Sequence, residues 1–334
     1  MVSSRSPLRA AVLAAVGLLS TGCAGPGESV SQPAPENTFT EQLNSIHFPH
    51  TTNEGWIAGH NGTILYTSNG GATWTAQLSG TTQNLSAVHF NDVNNGWAVG
   101  NGGVIIHTIN SGLAWTRQTS ETSQNLNDVF FQDALIGWAV GDSGTILYTS
   151  NGGEIWSPVG GGWSQDLRRV FVGGAKNGWI VGDGGLILRA DPSVAGGGFW
   201  SAEPSGSTQD FRAISVTGST VWIVGDGGLI LKGNAASVGL PAFWIRAPQV
   251  TASVSLHDLF FTNDSNGWIA GETGILLQTT NGGNIWIPRS TRTDAALRSL
   301  YFAPDNQTGW AVGDNGTILY TVDGGIFWIR QYVR

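Results

Sequence analysis

The sequence predicts an all-β protein: a seven-bladed β-propeller with four antiparallel strands per blade. Three observations lead there. A Trp, usually after Gly, recurs at Trp56, Trp97, Trp138, Trp179, Trp222, Trp268 and Trp310, at spacings of 41, 41, 41, 43, 46 and 42 residues. A second Trp follows each one, at Trp74, Trp115, Trp156, Trp200, Trp244, Trp286 and Trp328, so the two series take in 14 of the 15 Trp. Between them the chain breaks into short apolar runs bounded by Gly and Asn turns, with no helical period. Four such runs in about 40–50 residues is the repeat of a propeller blade. A β-solenoid fits less well, because its rungs are usually shorter.

Ahead of the repeats stands a leader. "MVSSRSPLRAAVLAAVGLLSTGC" has Arg5 and Arg9, an apolar run from Ala10 to Leu19, and small residues up to Cys23. This is the layout of a secretory signal, and the apolar run is too short to span a bilayer. Leu19-Ser20-Thr21-Gly22-Cys23 resembles a bacterial lipobox, although Ser20 stands where Leu is preferred. The single Cys of the chain falls at the one position a lipobox needs. The expectation is a signal peptide over 1–22, then lipidated Cys23 and a flexible tether over 23–40, then the propeller over 41–334. That makes the protein extracytoplasmic and lipid-anchored to a bacterial membrane.

Composition narrows the function classes. Charged residues make up 11% of the 334, and the formal net charge is −8, or −10 without Arg5 and Arg9. An acidic body with two Lys is a poor counter-ion for phosphate backbones, so no nucleic acid is expected. One Cys excludes an intrachain disulfide framework and a Cys-rich metal site.

Each unit can be justified strand by strand, here for the second. "LSAVHF" (85–90) is followed by a turn and then "GWAVG" (96–100). The turn "NGG" leads to "VIIHT" (104–108), and "INSGLA" leads to "WTRQ" (115–118). The runs are apolar on both faces, as suits a sheet sandwiched between two neighbours. The Trp pairs read as packing between blades, since each ring can bury about 150–250 Å². Trp163, outside the register in "GGGWSQD", is expected to be more exposed than the others.

Between the third and fourth strands one segment recurs as "TSNGGATW", "TINSGLAW", "TSNGGEIW", "TTNGGNIW" and "TVDGGIFW". It is similar to the Asp-box of bacterial sialidases, with Asn where the Asp stands in all but Asp323. Asn or Asp before Gly-Gly is turn chemistry, in which the side-chain oxygen caps nearby N–H groups. A turn needs an acceptor and not a charge, so the motif reads as a hairpin staple that says nothing about cleaving sugar.

"LxxVxF", "GWxVG", "GTILYT" and "T-x-N/D-GG-x-x-W" in seven tandem copies resemble the photosystem II stability and assembly factor family of Asp-box propellers. The resemblance covers about residues 41 to 334, and "GWAVGDSGTILYTSNGGEIW" (137–156) carries it most fully. It implies a seven-bladed, extracytoplasmic or lumenal, non-enzymatic protein. Photosynthetic members are implicated in binding newly made photosystem II reaction-centre protein, with an arginine-rich patch on one face. Units four and five depart from the pattern, with "ADPSVAGGGFW" and "GNAASVGLPAFW" in place of the turn.

The candidate site follows from the register. The second residue of "LxxVxF" is expected beside the central channel, on the face that also holds the turns between second and third strands. These residues are Asn44, Ser86, Asn127, Arg168, Arg212, His257 and Arg298, with Arg169 beside Arg168. Arg suits bidentate capture of carboxylates and interface stacking, so Arg168, Arg169, Arg212, His257 and Arg298 are the candidate partner-binding residues. The alternative is structural: Asp142, Asp183, Asp226, Glu272 and Asp314 share that face and could pair with the Arg of adjacent blades.

A sialidase would need an Arg cluster, a Tyr nucleophile backed by a Glu, and an Asp acid. Tyr66, Tyr148 and Tyr320 share one repeat position in "TILYT", and no unit is expected to hold a Glu poised beside a Tyr. His47 and His89 repeat one inner-strand position without a Cys or acid at ligand spacing. The expectation is therefore no catalysis, no metal and no cofactor, in a monomer that binds a protein partner. The alternative is a cell-envelope propeller that binds carbohydrate or hydrolyses glycans. Ring closure is expected by blade packing, helped by "NTFTEQ" (37–42), without a strand exchanged across the seam.

Overall fold

A computed structural model describes residues 39–49, 52–173, 178–191, 199–234, 244–247 and 254–333. The leader, Cys23 and nearly all of the tether lie outside the described residues, as do the tips of the long hairpins in units four and five. The described residues form seven four-stranded antiparallel sheets, each built from four consecutive strands. In blade 2 these are Leu85–Phe90, Gly96–Gly100, Val104–Thr108 and Thr116–Gln118. The first strands touch one another in sequence, and the first strand of blade 1 also touches that of blade 7. They therefore line a central channel and close the ring.

One irregularity sets what faces that channel. In blade 2 the register runs His89↔Trp97, Val88↔Ala98, Ala87↔Val99 and then Leu85↔Gly100, so Ser86 is skipped. The other six blades skip the equivalent residue. Such a bulge leaves one residue unpaired and bends the strand. It is held by the turn between second and third strands, whose first N–H bonds the carbonyl ahead of the inner strand (Asn101 N to Asn84 O, 2.9 Å).

The core lies between blades. Seven apolar clusters each join one blade to the next. Each takes the first Trp of one blade and the second Trp of the following blade. At five interfaces a Phe completes the set: Trp97 stacks on Phe131 at 3.6 Å, and Phe131 meets Trp156 edge-on at 5.7 Å. The edge-on contact is one that aromatic quadrupoles favour. In the five blades that carry this Phe, the Gly before the first Trp makes room for it, since a Cβ on Gly96 would run into the Phe90 ring. Trp163 is more exposed than twelve of the other fourteen Trp, as its place outside the register predicts. It is half-buried, as Trp115 and Trp244 are, and packs on the cluster between blades 3 and 4.

The recurrent turn is a staple. Thr67 Oγ1 accepts from Gly71 N at 2.8 Å, and Asn69 Oδ1 accepts from Thr73 N at 2.9 Å. The same two bonds recur with Thr108 and Asn110, Thr149 and Asn151, and Thr279 and Asn281. Thr321 and Asp323 repeat them, so Asn and Asp do one job. Gln77 then ties blade 1 to blade 2: its Nε2 donates to Ser111 O at 2.8 Å, and its Oε1 accepts from Trp115 Nε1 at 3.3 Å. At the closing seam Gln331 Oε1 accepts from Trp74 Nε1 at 3.1 Å, and Gly316 N donates to Glu41 O at 3.0 Å. Phe39 packs on the same seam cluster. Closure is by packing, side-chain staples, the Gly316–Glu41 main-chain bond and a parallel bridge between Trp74 and Val333, without an exchanged strand among the described residues.

Candidate functional site

The bulge turns the second residue of each inner strand toward one mouth of the channel. A bowl of about 340 Å³ there is lined by Asn44, Ser86, Asn127, Arg168, Arg169, Arg212, His257 and Arg298, with Gln42, His60, Asn84 and Asn101. The structure therefore brings all five candidate partner-binding residues together.

The acids pair differently from the alternative read in the sequence. Arg168 donates to Asp183 through Nε at 2.8 Å and Nη2 at 2.6 Å. Arg212 holds Asp226 through the same two nitrogens, both at 2.9 Å, and Arg298 holds Asp314 at 2.5 and 3.1 Å. Each pair lies within one blade and not between adjacent blades. The cause is the pinned turn, which sets its first side chain beside the bulged residue of its own strand. These pairs are about a quarter to a third exposed, so each adds little to stability. Their effect is orientation. Asp183 and Asp226 hold Arg168 and Arg212 more firmly protonated, and Arg212 holds Asp226 below the usual carboxylate range.

Every clamp uses Nε and Nη2. The Nη1 groups of Arg168, Arg212 and Arg298 make no hydrogen bond to any described residue. His257 lies among them, and burial together with the Arg298 and Arg212 charges pushes its pKa down, so it is neutral at pH 7. The bowl is thus rich in fixed donors while its charge is largely balanced. Asn44 and Asn127 have structural work: their Nδ2 groups donate to Leu85 O and Leu167 O of the following blade, at 2.8 and 2.9 Å.

Arg169 is a different kind of residue from its neighbour. It lies beyond the bulge and reaches across the channel, with Nη2 at 2.8 Å from Asp258 of blade 6 and Nη1 at 3.8 Å from Asp128 of blade 3. Both acids are buried. Asp128 Oδ2 also accepts from Val170 N and Asp258 Oδ2 from Leu300 N, each reaching into the next blade. Burial pushes the Asp128 carboxyl up to about 6 in spite of Arg169. Arg169 is thus a strut between blades 3, 4 and 6.

The opposite mouth was less visible in the sequence. His47 and His89 share their inner-strand position with Phe130, Phe171, Ser215, Phe260 and Tyr301. A cavity of about 660 Å³ opens there. Aligning that one position across all seven units would have found it. One further expectation is corrected: Tyr66 Oη donates to Glu54 Oε1 at 3.3 Å, so a Tyr–Glu pair does exist. It joins neighbouring strands because the turn between them brings residues 54 and 66 together. Burial and then the Glu54 charge raise the Tyr66 pKa, the reverse of what a phenolate nucleophile needs. Among the described residues no three His, Cys, Asp or Glu converge as a metal site.

The family model "Photosynthesis system II assembly factor YCF48" matches residues 34–121 and 241–333. No curated protein sequence matches. Among solved structures, the chain is similar to YCF48 bound to D1 peptide, with 20% identity, a TM-score of 0.70, and coverage of 86% of this chain and 95% of the other. It is similar to YCF48 from Cyanidioschyzon merolae at 20% identity and TM-score 0.70, covering 87% and 97%. A GH74 xyloglucanase from Xanthomonas campestris shares the fold at 11% identity and TM-score 0.69, covering 89% of this chain and 55% of that one.

Proposed function

The chain belongs to the photosystem II assembly factor YCF48 family, and from that premise we propose that it is a non-enzymatic assembly factor that holds a protein partner on the arginine bowl. The observation that carries the proposal is the shared geometry of Arg168, Arg212 and Arg298. Each is clamped by its own blade through Nε and Nη2, which leaves Nη1 as a positioned donor at the bowl. Fixed guanidinium donors suit peptide carbonyls and a terminal carboxylate, and they lose little rotamer freedom on binding. The similar structure of YCF48 with a D1 peptide supports a peptide of a membrane-protein assembly intermediate as the partner class. Cys23 would tether a monomeric propeller by lipid to the extracytoplasmic side of the membrane.

The test is capture of partners from membranes of the native host by the wild type and by Arg168→Ala/Arg212→Ala/Arg298→Ala, both first shown to melt alike. Loss of a discrete captured protein in the variant supports the bowl as the binding face. Equal capture by both removes it.

A further inference from the structure

The second mouth of the channel is built unlike the first. Six rings from six blades form a continuous belt around it. Phe260 and Tyr301 lie 5.2 Å apart between centroids, Tyr301 and His47 6.0 Å, His47 and His89 4.8 Å, His89 and Phe130 5.1 Å, and Phe130 and Phe171 5.5 Å. Blade 5 breaks the belt with Ser215. Among the described residues neither Lys nor Arg lines the cavity, whereas Asp92 and Asp133 do, and Asp305 follows the lining residue Pro304.

These acids have a local task. Asp92 accepts from Asn94 N and Asn95 N, Asp133 from Leu135 N and Ile136 N, and Asp305 from Gln307 N and Thr308 N. Blade 6 performs the same task with a neutral side chain, since Asn263 Oδ1 accepts from Ser265 N and Asn266 N at 2.9 Å. The main-chain bonds of the turn therefore need only one oxygen; the second oxygens of Asp92 and Asp305 accept from Asn95 Nδ2 and Thr308 Oγ1, and the charge itself is surplus to the main-chain bonds. Each carboxylate is held in place by main-chain donors at the mouth of an aromatic cavity. Tyr301 stays protonated, since burial pushes its pKa up to about 12, and adds no charge.

We propose that this cavity binds an organic cation: a substituted ammonium or guanidinium on an apolar body, either free or borne on a peptide. Aromatic faces attract such cations, and the fixed carboxylates add attraction at the mouth. The volume suits a small ligand or one long side chain with its flanking atoms.

Calorimetric titration of the whole protein can test this with benzyltrimethylammonium, its neutral isostere neopentylbenzene, and a pentapeptide carrying one Arg. A preference of about tenfold or more for a cation over the neutral isostere is expected. Tighter binding of the peptide than of benzyltrimethylammonium would assign a chain-borne source, and the reverse a free one. Asp92→Asn/Asp133→Asn/Asp305→Asn keeps the acceptors of the main-chain turn bonds and gives up only exposed side-chain bonds to Asn95 and Thr308, so it should still fold, which its melting curve checks. It should lose about tenfold in cation affinity while binding the isostere as before. Equal affinity for cation and isostere, binding of no cation, or unchanged cation affinity in the triple variant would each overturn the proposal.

Discussion

Arg168 and Arg169 are adjacent in sequence, yet their removal should have opposite consequences. Arg169→Met keeps the apolar stem and deletes the guanidinium that faces Asp258 and Asp128. Stripping one partner from a buried ion pair typically costs about 3–5 kcal/mol. Arg169 keeps 23% of its side chain exposed to the channel, so the lower end, about 3 kcal/mol, is expected at pH 8. Asp128 gives the pH dependence. A carboxyl moved from 3.8 to about 6 costs about 3 kcal/mol when ionised, at about 1.36 kcal/mol per pH unit. Because its folded pKa is raised, its contribution is fully present below 3.8 and lost as pH rises through about 6. Without Arg169 the folded pKa rises further, so the deficit of the variant should grow from about 1 kcal/mol near pH 4.5 to about 3 at pH 8. Urea denaturation followed by Trp fluorescence at the two pH values measures this. Asp128→Asn in the Arg169→Met background should recover part of the loss at pH 8. An equal deficit at both pH values would refute the coupling of Arg169 to Asp128, and no deficit at either would refute the strut. Arg168→Met, at a surface pair, should cost less than about 1 kcal/mol.

Gly96→Ala would drive a methyl into the Phe90 ring and should cost about 1–3 kcal/mol, read as a lowered melting temperature; an unchanged melt would mean the ring has room to move. Asn69→Asp should be neutral within about 0.5 kcal/mol, because Asp323 already makes the same turn, whereas Asn69→Ala should cost about 1 kcal/mol; denaturant midpoints compare the two.

The fold was legible because packing repeats with the chain. One Trp toward the next blade and one toward the previous blade leave a period near 42 that no turn can disguise. The bowl was legible to the same degree, since Arg168, Arg212, His257 and Arg298 share a register position. What pairs with what was not. The own-blade clamp of Arg168 on Asp183 depends on a bulge that shows in no residue type. The same bulge sends Arg169 into the channel toward Asp258, 89 residues away. The aromatic belt escaped notice because its position holds His, Phe, Ser and Tyr, alike in placement but not in name. Tyr66 and Glu54 meet across neighbouring strands, a proximity that reading along the chain underrates.

The closing seam has a consequence for how the molecule comes apart. Gln331 meets Trp74 as Gln77 meets Trp115, and Trp310 Nε1 donates to Gly70 O as Trp97 Nε1 donates to Gly152 O. The junction between the first and last blades is thus bonded like that between blades 1 and 2, whereas the joints flanking blades 4 and 5 lack the Gln–Trp bond, the Nε1 groups of Trp200, Trp244 and Trp286 being buried without a hydrogen-bond partner among the described residues. A parallel bridge between Trp74 and Val333 adds main-chain pairing at the closing joint. A circularly permuted chain, beginning in blade 2 and ending in blade 1, would bury the same faces with the same bonds. By the same token a blade lost from either end exposes two facing surfaces at once. The seven units therefore stand or fall as a closed loop, unlike an open stack that frays one neighbour at a time.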